Sequence, residues 1–317
     1  MKTLINYPSP IGGLSLGIAS IGVAWALIFP SMHFWALNIS GALAVLLLIP
    51  LFLKFIFNPH VIWDDLASPY RGSLFPSLAM AVMIIGYDLL TINYFVGYTV
   101  WLLGLCAHLV LTGFFIYFMA KNFSFEFILP SWFIPPVGII VACITMPAIH
   151  WQLPLQYLFY LGLIAFFILL PCVLFRLILK DKLQDEILPS LCILAAPANL
   201  CLIGYLSIFS NPDIFLAMFL FTGGCITTLI IYVSLPILLR LPFSPGFSSF
   251  TFPPILSAIA TFKFALYIKN VPLLVTHYTW IHTMAYLELL IASILVLFVT
   301  FHYYRHFLHP MILAKLR

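Results

Sequence analysis

The chain has 317 residues, of which 64% are hydrophobic and only 7% charged, with a mean hydropathy of +1.17 and a formal net charge of +4. A soluble domain carries about 25% charged residues, so this composition excludes a water-soluble enzyme or nucleic-acid binder and points to an all-α polytopic membrane protein. Six cysteines lie inside apolar segments without paired or metal-ligand spacing and read as free, buried thiols.

Ten apolar segments follow in chain order, at about 11–29, 35–57, 73–92, 97–119, 132–147, 153–179, 187–208, 213–239, 246–268 and 278–304. A helix needs about 20 such residues to cross a bilayer. Lys2 precedes a full-length first segment without a small-residue cleavage site, so no signal peptide is expected. No loop has the length of a soluble domain, and residues 1–317 are expected to form one transmembrane domain. Ten crossings put both termini on one face with Lys2, Lys54, Arg71, Lys121, Arg176, Lys180, Lys182, Arg240, Arg305, Lys315 and Arg317, leaving Lys263 and Lys269 toward the other. Lys and Arg accumulate on the cytoplasmic side, so both termini are expected in the cytoplasm and the chain in the plasma membrane, the inner membrane of a bacterium. Trp35, Trp101, Trp151 and Trp280 fall near the expected outer boundary, and Trp63 and Trp132 near the inner one, as in an aromatic belt.

The segments are of two kinds. The odd-numbered ones carry small, polar and helix-breaking residues: Gly12, Gly13 and Gly17 in the first, Pro76 and Ser77 in the third, Pro135, Pro136 and Gly138 in the fifth, Pro197, Asn199 and Gly204 in the seventh. The even-numbered ones are mostly Leu, Ile, Phe and Val, with Pro50, Pro171 and Pro236 as exceptions. Small residues let helices approach or leave space between them, whereas large apolar ones suit lipid. Five helical hairpins with odd helices inside and even helices outside follow from that division.

The ninth segment, Gly246 to Ile268, organises the rest. Ser248, Ser249, Thr251, Pro253 and Pro254 surround Phe250 and Phe252 in its first half. Each proline removes an N–H and clashes with the carbonyl four residues back, so the helix is expected to break near Ser249 and Phe250. Phe252, preceding Pro253, is pushed away from helical angles. Broken backbone at membrane depth needs protein or a water-filled cavity around it, so this reads as a cavity-lining helix with a bulky ring at its break.

Five stretches in this order resemble one family: Pro10 to Trp25, Ser68 to Ser77, Leu129 to Gly138, Ala196 to Ile208 and Ser249 to Pro254. They are similar to the tellurite-resistance/dicarboxylate transporter family, which includes bacterial tellurite-resistance protein A and the plant guard-cell slow anion channels. The resemblance implies ten transmembrane helices as five hairpins in a quasi-five-fold arrangement around a central pore, and a homotrimer with one pore per subunit. It implies proline kinks at Pro10, Pro135, Pro197 and Pro253, and a phenylalanine plug that matches Phe252. Plant members have long kinase-targeted tails; about ten residues precede the first segment here and about thirteen follow the last, so phosphorylation-controlled opening is not implied.

Gly13 and Gly17, with Gly138 and Gly204, are candidates to give that ring room, and Phe250 is the neighbouring aromatic; close helix packing explains the glycines equally well. Lys263 and Glu288 are charges inside spans, which marks them as a selectivity site or a buried ion pair with each other. Asp64, Asp65 and Asp88 are expected to be solvated, and Arg176 is a second basic residue with a chance of reaching the pore. His302, His306 and His309 have helical spacing but sit where headgroups would, and His108 has no assigned neighbour. No nucleophile motif, phosphate loop or dinucleotide fingerprint occurs, so neither catalysis, cofactor nor metal is expected. The resulting expectation is an anion channel for chloride or nitrate in a lipid bilayer, with small anions as its only partners besides other copies of itself. The alternative is a proton-coupled or facilitated carrier for malate-type dicarboxylates, with tellurite resistance as an overproduction phenotype.

Overall fold

Proline and leucine divide the chain into its two kinds of helix. In the computed structural model, which describes residues 5–310, every regular element is helical. We label the apolar segments α1 (Ile11–Ile28), α2 (Pro30–Phe57), α3 (Pro69–Leu89), α4 (Tyr94–Lys121), α5 (Pro130–Ile144), α6 (Gln152–Leu179), α7 (Leu188–Ile208), α8 (Ile214–Leu238), α9 (Pro245–Ile268) and α10 (Val275–Leu308). Among the described residues nine of these are long and apolar enough to cross a membrane; α5 is shorter. Lys2, Lys315 and Arg317, counted above among the basic residues of one face, lie outside the described residues.

The short α5 departs from the expected helix over 132–147. Pro135, Pro136 and Gly138 split it into a 3-10 turn at Pro130–Phe133, one α turn, a second 3-10 turn at Gly138–Ile140 and a last α turn. Two adjacent residues without N–H groups cannot sustain an α ladder. The other odd segments share a milder version. In α7 and α9 a 3-10 run, Leu188–Ala195 or Pro245–Phe250, leads into an α-helix with Pro197 or Pro253 in its first turn. Pro76 likewise starts the longer part of α3, and Pro10 stands just before α1. Proline at a helix start is unstrained because its missing N–H had no partner there. These prolines therefore start the α-helical part of each segment rather than kinking its middle. Phe252 is accordingly the first α residue of α9, and Thr251 takes the irregular angles, φ −95° and ψ −66°.

Within an apolar stretch of 18 residues, 72–83% are buried in α1, α3, α7 and α9, against 28–44% in the even-numbered helices. Each even helix packs against the odd one before it. The odd segments touch in a closed circuit, α1 on α3, α3 on α5, α5 on α7, α7 on α9 and α9 on α1. Glycine sets the closeness of α3 and α4 within their hairpin, since a Cβ at Gly86 or Gly97 would strike backbone of the facing helix. The expected belt is partial: Trp35, Trp63 and Trp280 are exposed, but Trp101 is fully buried and donates to Thr145 Oγ1 at 2.9 Å.

The circuit's broken backbone is satisfied by side chains from outside it. His108 on α4 sets Nε2 2.8 Å from the carbonyl of Pro135 and Nδ1 3.3 Å from that of Pro76, and Thr112 donates to Pro135 at 2.9 Å. A neutral imidazole donates through one nitrogen only, so the shorter contact is the bond. His108→Leu leaves that carbonyl with a single donor in a dry site, and should lower stability by about 1–3 kcal/mol. Thermal unfolding in detergent reads it directly; an unchanged midpoint would mean that α4 contributes nothing to holding the α5 break.

Candidate ion path

The circuit encloses a cavity of about 50 Å³. All five odd segments line it, through Gly13 and Leu16, Ser77 and Met80, Ile134 and Gly138, Pro197 and Leu200, and Ser249 and Phe252. It has room for a few water molecules at most. On the other side of Phe252 lies a smaller cavity of about 20 Å³, lined by Ser20, Ile84, Thr145, Leu256 and Ile259 among others. Phe252 is the residue the two cavities share. Neither is lined by an ionisable side chain.

Each narrow cavity leads to a wider one. Pro10 borders both the first and a vestibule of about 1020 Å³ with Lys54, Asp64, Asp65, Arg71 and Glu186 on its wall; we call this the near face. Val23, Ile144 and Ile259 border both the second and a vestibule of about 310 Å³, the far face, with His33, Tyr87 and Lys263. Neighbouring spaces thus share wall residues in the order near vestibule, first cavity, second cavity, far vestibule, and Phe252 stands between the two narrow ones.

The break in α9 places that ring. Phe247 and Phe250 pack edge to face, centroids 5.1 Å apart, and both are buried. Thr251 Oγ1 donates to the Ser248 carbonyl at 2.7 Å, closing the turn just before the helix starts. Tyr303 on α10 donates to the Pro245 carbonyl at its other end. Phe252 then projects between the two cavities and, among the described residues, stacks on no other ring. Ser249 Oγ, beside it, is buried without a hydrogen-bond partner in the protein.

Comparison with known proteins fits this geometry. A family profile described as voltage-dependent anion channel matches residues 7–304. This chain belongs to that family. Two uncharacterized transporters of Methanocaldococcus jannaschii are similar to it, each 25% identical, over 65% of this chain and 67% of the first relative and over 63% and 66% for the second. Membership makes the protein a multi-pass membrane protein of an anion channel and transporter family, and it is the same family that the five sequence stretches resemble.

Against this channel-family frame, the sequence-derived residues separate. Gly13 faces the neck, where a Cβ would stand 3.1 Å from Ser248 Oγ. Gly138 lines it too, and a Cβ there would meet Met80 Sδ at 2.7 Å. Gly17 instead seats Thr251, whose side chain occupies the space a Cβ needs. Gly204 packs on Ile140 and Phe159 and does not line the neck. Phe250 is likewise a packing residue, away from both narrow cavities. Lys263 and Glu288 are not brought together: Lys263 Nζ donates to Ser207 Oγ at 2.8 Å, while Glu288 is buried beside Thr261. Arg176 binds the carbonyls of Asp181 at 2.7 Å and Glu126 at 3.4 Å, tying down loops rather than reaching the pore.

Two expectations of solvation are corrected. Asp65 is buried, pairs with Arg71 at 3.1 Å and accepts from Ser9, and Lys54 donates to Ser9 Oγ at 3.2 Å and to the Tyr7 carbonyl at 2.8 Å. Asp88 is buried against Gly41 of α2. Sequence reading also missed that Phe252, Leu256, Ile259 and Lys263 all line the path, although their spacing of 4, 3 and 4 is one helix face.

The two glycines of α1 give a ranked test. Gly17→Ala drives a methyl onto Thr251 Cβ and should cost about 1–3 kcal/mol of stability, whereas Gly13→Ala meets Ser248 Oγ at 3.1 Å and Cβ at 3.3 Å, which a shift of a few tenths of an ångström relieves. Gly17→Ala should therefore show the lower melting temperature; equal values would mean that the seam between α1 and α9 gives freely.

Proposed function

We propose that the protein is a channel for small inorganic anions such as chloride and nitrate, closed by the ring of Phe252. The observation that carries this reading is the single ring shared by two small cavities whose walls hold no ionisable group. A ring across so narrow a passage excludes water, and a dewetted constriction stops ions. A neutral neck without fixed charge favours anions that dehydrate easily and holds none tightly. The hydroxyl of Ser249, which has no hydrogen-bond partner in the protein, supplies a donor to a passing anion without a permanent positive charge. In this reading the odd segments form a quasi-five-fold ring in a ten-helix bundle. The near face is cytoplasmic, since most of the basic residues lie there, and subunits assemble as trimers in a plasma membrane, each with its own pore.

Phe252→Ala should open the path. The helix start that places residue 252 is set by Thr251 and Pro253 and survives the change. Anion current in planar bilayers should rise far above that of the parent protein. Equal currents at equal protein content would move the plug elsewhere.

Transport should also be uncoupled from protons, because no Asp, Glu or His lines either narrow cavity to relay one. The reversal potential of Phe252→Ala should follow the anion gradient and ignore an imposed pH gradient. A shift toward the proton equilibrium potential would favour the dicarboxylate carrier instead.

A further inference from the structure

Lys263 is held on the path without being neutralised. It follows Phe252 by eleven residues on the path-lining face of α9, about 16 Å along the helix axis. Its ammonium donates to Ser207 Oγ of α7 at 2.8 Å, and Ser207 gives its own hydrogen to the Ile203 carbonyl at 2.6 Å. Ser207 thus acts as a neutral acceptor that fixes the ammonium in place. Two of the three ammonium donors remain. Among the described residues the one ion pair is Arg71 with Asp65, on the near face. No described far-face carboxylate pairs with it or lines its vestibule: Asp213 caps α8 by accepting from Leu216 N at 3.0 Å, Asp88 is buried against Gly41 with neither oxygen hydrogen-bonded, and Glu288 is buried beside Thr261. The 310 Å³ vestibule beside Lys263 has His33 and Tyr87 on its wall and no acidic residue.

We propose that Lys263 makes the far vestibule a collecting site for small monovalent anions, which pass from it to Ile259 and the narrow cavity behind Phe252. The proposal rests on the channel reading and adds to it the residue that concentrates the permeant ion at this mouth. A unit charge about 7 Å away in water-like surroundings changes an ion's energy by about RT, which is roughly a three-fold gain in local concentration. Low-dielectric walls focus the field and raise that gain, and salt screens it. The contrast with the near vestibule is one of compensation. There the two bases, Lys54 and Arg71, share the wall with Asp64, Asp65, Asp185 and Glu186, whereas Lys263 has only a hydroxyl and no acidic residue on its vestibule.

The test measures chloride and nitrate current through Phe252→Ala with residue 263 as Lys, Arg or Met. At low salt, Lys263→Met should reduce current carried by anions arriving from the far face by about three-fold or more, with a smaller effect in the opposite direction. Lys263→Arg should retain it, and high salt should erase the difference. Equal currents for Met and Lys at low salt overturn the proposal, as does a loss that Arg shares and high salt leaves in place, which would mark a structural role. Loss of malate uptake with unchanged chloride current would overturn it in favour of a carrier site. Should Phe252→Ala carry no current, the gate reading fails, and the site is read by bromide anomalous diffraction on the parent protein. A bromide beside Lys263 Nζ that is absent in Lys263→Met supports the site, and no bromide there in the parent overturns it.

Discussion

A backbone that breaks inside a membrane must find partners for its exposed carbonyls and N–H groups within the protein, because lipid offers none. Most of this structure follows from that constraint. Four of the odd segments, α3, α5, α7 and α9, break or restart at proline, α1 begins just after one, and exposed groups are met by neighbouring side chains: His108 and Thr112 at Pro135, Asn199 at Ala195 with 2.8 Å, Thr251 at Ser248, Tyr303 at Pro245. A closed circuit is the arrangement in which each broken segment has a neighbour on both sides and an unbroken helix between it and lipid. The even helices supply that screen, and three of them stay α-helical through an interior proline, Pro50, Pro171 or Pro236. Space along the axis follows from the small residues and 3-10 turns of the inner ring, which fill less volume than a packed α-helical core.

Within that frame charge is distributed by depth. The near mouth holds charges of both signs, with Asp65 between Arg71 and Ser9, Lys54 clamping the segment from Tyr7 to Ser9, and Asp64, Asp185 and Glu186 on the same wall. These interactions hold the residues preceding α1 beside Pro10, at the threshold of the neck. The two narrow cavities are lined by apolar and hydroxyl side chains and hold no ionisable group. A second polar cluster stays off the path: Asn199 Nδ2 lies 3.1 Å from both Thr228 and Ser257 Oγ, and the latter two are 2.7 Å apart. It joins α7, α8 and α9 and costs little to bury because its members satisfy one another.

Much of the fold was legible in the residues because membrane helices write their environment in composition. Leu-rich α4, α6 and α8 announce lipid contact, and Gly, Ser and Pro in the odd segments announce interior positions. The proline of SFTFPP announced a break, and the ring next to it a candidate plug. Composition does not say where within a segment a proline acts. Pro135 and Pro197 read as mid-helix kinks, yet they open α-helical parts after 3-10 turns, since the residues before them had already left the α ladder. Gly17 and Gly204 likewise carried the same signal as Gly13, and only their neighbours, Thr251 for one and Ile140 for the other, separate packing from pore.

The sequence by itself determined that the chain spans a membrane many times, which segments are inner and which outer, and that α9 carries a ring at a break. Those properties depend on local composition and on backbone sterics, which act within a few residues. Tertiary structure alone decided which charges meet. Lys263 is bound by Ser207 rather than Glu288, Asp65 is buried with Arg71, and His108 joins the breaks of α3 and α5. Partners 56, 6, 32 and 27 residues apart in the chain are chosen by how helices rotate about their axes, and a rotation of one residue, about 100°, replaces one partner by another without altering any pattern in the sequence.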